Sequence, residues 1–88
     1  VTRKPGQGVY LGSGLLRVVS SQRYAACLAW AGESHWLKEL GRPLAAGGAE
    51  VYLKEARPSG VRLRIVAPPE LLLVREELMA GRVPRETT

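Results

Sequence analysis

Apolar and polar positions alternate in some stretches of this 88-residue chain and cluster in others, and the difference divides it into three zones. Residues 1–20 are β-like and punctuated by glycine. Val1-Thr2-Arg3-Lys4 reads as the end of a strand, and Pro5-Gly6 is a turn signal. Val9-Tyr10-Leu11 is a short strand, and Leu15-Leu16-Arg17-Val18-Val19 continues it or forms another after Gly12-Ser13-Gly14. Residues 21–40 carry a different period. Tyr24, Leu28 and Ala31 share one face at helical spacing, and Cys27, Trp30 and Leu37 share a neighbouring one, so the spacing predicts a helical segment here. Ser20 or Ser21 would cap it. Gly32-Glu33-Ser34 would divide it into two helices, with Ser34 capping residues 35–40, and Gly41 followed by Pro43 would stop it.

The third zone begins after Ala45-Ala46-Gly47-Gly48. Glu50-Val51-Tyr52-Leu53-Lys54 alternates as a strand, Pro58-Ser59-Gly60 is a turn, and Val61-Arg62-Leu63-Arg64-Ile65-Val66 is a second strand. Its pleat sends Val61, Leu63 and Ile65 to one face and Arg62 and Arg64 to the other. Ala67-Pro68-Pro69-Glu70 bends the chain, because proline fixes φ and lacks an N–H. Leu71-Leu72-Leu73-Val74 is apolar without alternation and calls for cover on both faces, which a dimer would supply. Residues 75–80 read as a short C-terminal helix with Glu76 and Glu77 in its first turn. Residues 82–88 read as a polar tail.

Composition narrows the function classes. A single domain of this length buries only about 60–65% of its unfolded surface, so it calls for reinforcement. The only cysteine is Cys27 and the only histidine is His35, which excludes an intrachain disulfide and a Cys/His zinc cluster and leaves oligomerisation. The net charge is +5, and ten of the thirteen basic residues are arginine, which favours a polyanionic partner. No apolar run approaches the roughly 20 residues of a membrane span. No secretory leader is recognisable in the chain, and the missing initiator Met reads as processing, trimming or tagging, which leaves room for a true N-terminus upstream. A lone cysteine suits a reducing cytoplasm. There is no Asp, and Ser34, His35 and Cys27 do not form a nucleophile–base set on a helix, so the chain does not read as an enzyme and no cofactor is expected. Trp30 and Trp36 read as core or interface residues rather than base-stacking platforms, and Cys27 as a small buried apolar residue.

Two separated motifs carry a resemblance. Val1-Thr2-Arg3-Lys4-Pro5-Gly6-Gln7, followed by Val9-Tyr10-Leu11-Gly12, resembles the first-strand signature of the carbon storage regulator (CsrA/RsmA) family, Leu-Thr-Arg-(Arg/Lys)-x-Gly-Glu and an apolar strand ending in Gly. Val61-Arg62-Leu63, then Ala67-Pro68, then Arg75-Glu76-Glu77-Leu78 resembles the family's second half: Val-Arg-Ile, Ala-Pro, and an apolar strand ending in Arg-Glu-Glu-Ile. The similarity covers about half the chain, residues 1–12 and 49–79. Residues 13–48 stand where the family makes a tight turn, and the whole is similar to the RsmN-type branch, which carries a helix there. Val74 replaces a frequent histidine, Pro69 a frequent basic residue, and Pro58-Ser59-Gly60 the usual Gly-Asn-Gln turn.

The resemblance implies one domain over residues 1–88, mostly β with an inserted helical segment (α+β) at 13–48. It implies small antiparallel sheets forming an intertwined homodimer. In the family, the first strand of one chain lies beside the last strand of the other, and the paired edges bind GGA-containing RNA loops. The implied RNA site is Val1, Thr2, Arg3 and Lys4 with Leu73, Val74 and Arg75, and with Arg62, Ala67 and Pro68 as accessory residues. The implied function is post-transcriptional control of messenger RNA in the cytoplasm, with room for a protein antagonist. The rival expectation is a protein-interaction module on the same fold with weakened RNA binding, its partner surface built from Trp30, Trp36 and Leu37.

Overall fold

Residues 14–38 hold three strands of an antiparallel meander and no helix. In the computed structural model, which describes residues 1–71 and 73–75, nine strands form: β1 (Thr2–Arg3), β2 (Gly8–Leu11), β3 (Gly14–Gln22), β4 (Ala25–Trp30), β5 (Glu33–Lys38), β6 (Leu44–Ala46), β7 (Ala49–Arg57), β8 (Gly60–Val66) and β9 (Leu73–Arg75). They make a four-stranded sheet, β1-β8-β7-β6, and a five-stranded sheet, β5-β4-β3-β2-β9. The expected helical insertion is therefore wrong. Ser20 and Ser21 lie within β3 and Ser34 within β5, so none of them caps a helix. Arg75, expected to start a C-terminal helix, ends β9, and the rest of that helix and the tail lie outside the described residues.

The physical reason is in β4. Ala26 and Leu28 point into the core, and Cys27, on the opposite face, is also nearly covered at 6% exposed. A strand covered on both faces loses its alternation, and a run of Ala and Leu then imitates a helix. The turns reveal the meander. Ala31 and Gly32 take φ of +55° and +80°, joining paired Trp30 and Glu33. Both central residues at positive φ are what a two-residue type I′ hairpin requires. Gly47 and Gly48, at +58° and +86°, do the same between β6 and β7.

The two sheets pack face to face over one buried cluster. Val9, Leu11, Leu16, Val18, Ala26, Leu28 and Leu37 come from the five-stranded sheet. Ala46, Ala49, Val51, Leu53, Ala56, Val61 and Leu63 come from the other. β8 follows its predicted pleat, with Val61 and Leu63 buried and Arg62 and Arg64 exposed. β7 starts one residue before and ends three residues after the expected 50–54, because a bulge between Leu53 and Glu55 resets its inward parity from 49, 51 and 53 to 56. Beyond β6, the same edge of β7 is closed by the β5–β6 connection. Leu40 N–H donates to the Leu53 carbonyl at 3.1 Å, and the Ala56 N–H donates to Glu39 Oε2 at 2.8 Å.

Trp30 locks one end of the sandwich. A Cβ on Gly14 would lie 2.5 Å from the Trp30 ring, and one on Gly47 would lie 3.0 Å from it. The ring is thus held between two glycines of different sheets. Gly14→Ala is expected to displace it and to cost about 1–3 kcal/mol, the usual penalty for overpacking. Urea unfolding followed by tryptophan emission checks this, and an unchanged midpoint would show that the ring is not confined.

Every described strand pairs within its own chain: β1 with β8, and β9 with β2. Leu71 is half-buried against the core, and Leu73 is 44% exposed.

Candidate nucleic-acid interface

The first residues of the chain build one end of the four-stranded sheet. Thr2 pairs with Arg62 and Arg3 with Val61. The Val1 amino group donates to the Leu63 carbonyl at 2.7 Å, and Leu63 N–H donates back to Val1 at 2.8 Å. β1 can lie this close because β8 starts on glycine: a Cβ on Gly60 would come within 2.9 Å of the Arg3 carbonyl oxygen. After β1 the chain turns over Pro5 and Gly6. Lys4 N–H donates to Gln7 Oε1 at 2.9 Å, and Gln7 N–H donates to the Lys4 carbonyl at 2.9 Å. This double closure holds the Lys4 backbone at the lip of the sheet.

Arg3 has a different role from its neighbours. It is only 4% exposed. Its Nε donates to the Thr2 carbonyl at 2.8 Å and an Nη donates to the Gly8 carbonyl at 3.2 Å. A guanidinium buried on backbone carbonyls braces the β1–β2 turn and does not present itself to a ligand. Lys4 and Arg62 are exposed, and neither has a carboxylate within ion-pair distance among the described residues. With Thr2 and Glu55 they border an open cleft of about 310 Å³, which continues over the β7–β8 turn to Arg57 and Ser59. Arg57 is already neutralised there, 3.1 Å from Glu39 and 3.0 Å from Glu55.

Arg64 extends the cationic face along β8. It lies opposite Tyr52, with its guanidinium 5.8 Å from the ring centroid. The Tyr52 hydroxyl donates to Glu50 Oε1 at 3.1 Å. That bond, helped by desolvation and the nearby negative charge, raises the phenol above its usual pKa. The outer face of β7 and β8 thus carries Arg64 in register with the Tyr52 ring, and Arg62 in register with Glu55. Of these only Arg62 was expected in the site. The alternation in both strands makes Arg64 and Tyr52 legible, since Arg64 shares the Arg62 face and Tyr52 alternates with Val51 and Leu53.

The remaining expected site residues lie elsewhere. Ala67 packs against the core. The Pro68 carbonyl accepts the Leu71 N–H at 3.0 Å in the crossing between the sheets. Leu73, Val74 and Arg75 pair with Leu11, Tyr10 and Val9 in the five-stranded sheet. Within one chain, Val1–Lys4 and Leu73–Arg75 therefore belong to different sheets, and each segment ends its sheet: β1 at one terminus, β9 at the other.

Among the described residues there is no group of three or more His, Cys, Asp or Glu side chains able to hold a metal ion, and no helix long and apolar enough to cross a membrane. Compared with known proteins, the chain matches no family model, no curated protein and no solved structure.

Proposed function

We propose that this protein is a carbon-storage-regulator-like RNA-binding regulator that acts on messenger RNA in the cytoplasm through GGA motifs in single-stranded or hairpin loops. The observation that carries the reading is the pair of exposed cations, Lys4 and Arg62, flanking Thr2 with no ion-paired carboxylate among the described residues, on the segments that bear the resemblance. Unpaired loop bases expose their edges to strand backbone groups, while phosphates are held by side-chain cations. A homodimer completes the site in this reading. β1 ends one sheet and β9 ends the other, so β1 of one protomer set beside β9 of its partner would bring Thr2 and Lys4 to Arg75 without any exchange of strands. Terminal strands are where such additions occur.

The test is an electrophoretic shift with a GGA-loop hairpin and a GGA→CCA control, run at two salt concentrations. Binding that favours GGA supports the proposal, whereas equal binding to both hairpins would mark a nonspecific polyanion binder. Arg75→Ala is expected to weaken binding to the GGA hairpin by about 1–3 kcal/mol, the range for losing a bidentate base contact, with the fold retained. A variant that binds within about 1 kcal/mol of wild type would remove Arg75 from the site.

A further inference from the structure

The five-stranded sheet presents a face that the Lys4–Arg62 site does not use. On β4 the outward residues are small: Ala25, Cys27 and Ala29. Their partners on β5 are Lys38, Trp36 and Ser34. The Trp36 indole therefore stands above a floor of short side chains and is 59% exposed, a large apolar surface to leave in water. Past β5 the chain turns through Gly41, Arg42 and Pro43 into β6. Between the two edge strands runs a groove of about 740 Å³, with Trp36, Lys38, Arg42 and Leu44 on its walls and no carboxylate among its lining residues. Of the nearby acids, Glu33 does not line the groove, although its carboxylate lies 3.8 Å from Nε2 of the lining residue His35, and Glu39 accepts from Ala56 N–H and Arg57.

An accessible indole beside two cations with no acid in the wall is matched to a ligand that has both a flat π-surface and a negative charge. A nucleotide within a single strand has both, since every base can stack on an aromatic ring and each link carries a phosphate. An acidic peptide would satisfy Lys38 and Arg42 but would leave the exposed indole without a flat partner. We propose that the groove between β5 and β6 is a second single-stranded RNA contact, in which one base stacks on Trp36 and the adjoining phosphates meet Lys38 and Arg42. The inference rests on the RNA reading above: the strand it receives is the flank of an RNA whose loop is held at Lys4 and Arg62.

The experiment compares a bare GGA hairpin with the same hairpin carrying a single-stranded uridine flank, on wild type, Trp36→Ala, Lys38→Ala/Arg42→Ala and Lys4→Ala/Arg62→Ala. The flank is expected to tighten wild-type binding about tenfold, as stacking of one base would. That gain should vanish in Trp36→Ala and in Lys38→Ala/Arg42→Ala, while both bind the bare hairpin like wild type. Equal gains in wild type and Trp36→Ala would overturn the groove proposal and leave the RNA reading intact. Failure of wild type to bind the bare hairpin would instead overturn the RNA reading. The groove is then judged by oligouridylate alone, whose quenching of wild-type emission but not that of Trp36→Phe supports it. Quenching by polyglutamate but not by oligouridylate would overturn it in favour of a protein partner. Because Trp36 is exposed, urea midpoints matching wild type confirm that its variants are folded.

Discussion

Leu28→Ala is expected to lower the unfolding free energy by about 2–5 kcal/mol, the range for truncating a buried leucine. Leu28 is 0% exposed and sits on β4, one strand in from the edge of its sheet. It lies opposite Val18 on β3 and belongs to the cluster shared with Val51 and Leu53 of the other sheet. Removing its methyls opens a cavity that strands paired on both sides cannot collapse to fill. Small domains have only about 5–15 kcal/mol of stability in total, so the loss should be plain in a urea titration. Tyr24 provides the contrast. A helix would place it on the same face as Leu28, but the structure leaves it 59% exposed in the β3–β4 turn. Its side-chain truncation is expected to cost no more than about 0.5 kcal/mol, as for ordinary surface positions. Equal losses for the two variants would count against the meander.

Lys4→Ala/Arg62→Ala is expected to weaken RNA binding at low salt by at least about tenfold while leaving the urea midpoint in place. Each cation on a phosphate of a single strand contributes about −0.7 to the slope of log K against log[salt]. Loss of both should make that slope shallower by about 1.4, with equal weakening for GGA and CCA hairpins. Both side chains are exposed and without acidic partners among the described residues, so their removal breaks no internal bond. Arg3 does not belong in this variant, because its buried guanidinium braces the Gly8 and Thr2 carbonyls and its loss would act on folding. A slope unchanged from wild type would place the phosphates elsewhere on the protein.

Much of the second half was legible from its pleat. Val61, Leu63, Arg62 and Arg64 take the faces their alternation assigns, and Pro58-Ser59 makes the predicted turn. The middle was not legible, for a physical reason. β4 packs Ala26 and Leu28 into the core and also covers Cys27 opposite Trp36, so the two-residue period that identifies a half-exposed strand is missing. The Ala-Gly turn at residues 31–32 was the available signal: a two-residue loop between paired strands explains it better than a helix break. In β5 the exposed Trp36 between Ser34 and Lys38 follows the same period and was hidden by the helical reading of its neighbour.

For the candidate site, the residue types were readable and their commitments were not. A Thr-Arg-Lys run announces positive charge next to a strand, and two arginines at alternate positions on β8 announce a cationic face. Local chemistry could not tell that Arg3 would be buried on carbonyls while the Lys4 side chain, one residue on, would be exposed with no ion pair among the described residues. That division depends on Gly60 admitting β1 beside β8 and on the Lys4–Gln7 turn. Charge, the absence of aspartate and of a cysteine pair, and the strand pleats are properties of adjacent residues, so the chain alone determined them. Which face each strand buries, which cations are neutralised, and where an indole is left exposed depend on contacts between residues far apart in sequence, and only the packing of the two sheets decided those.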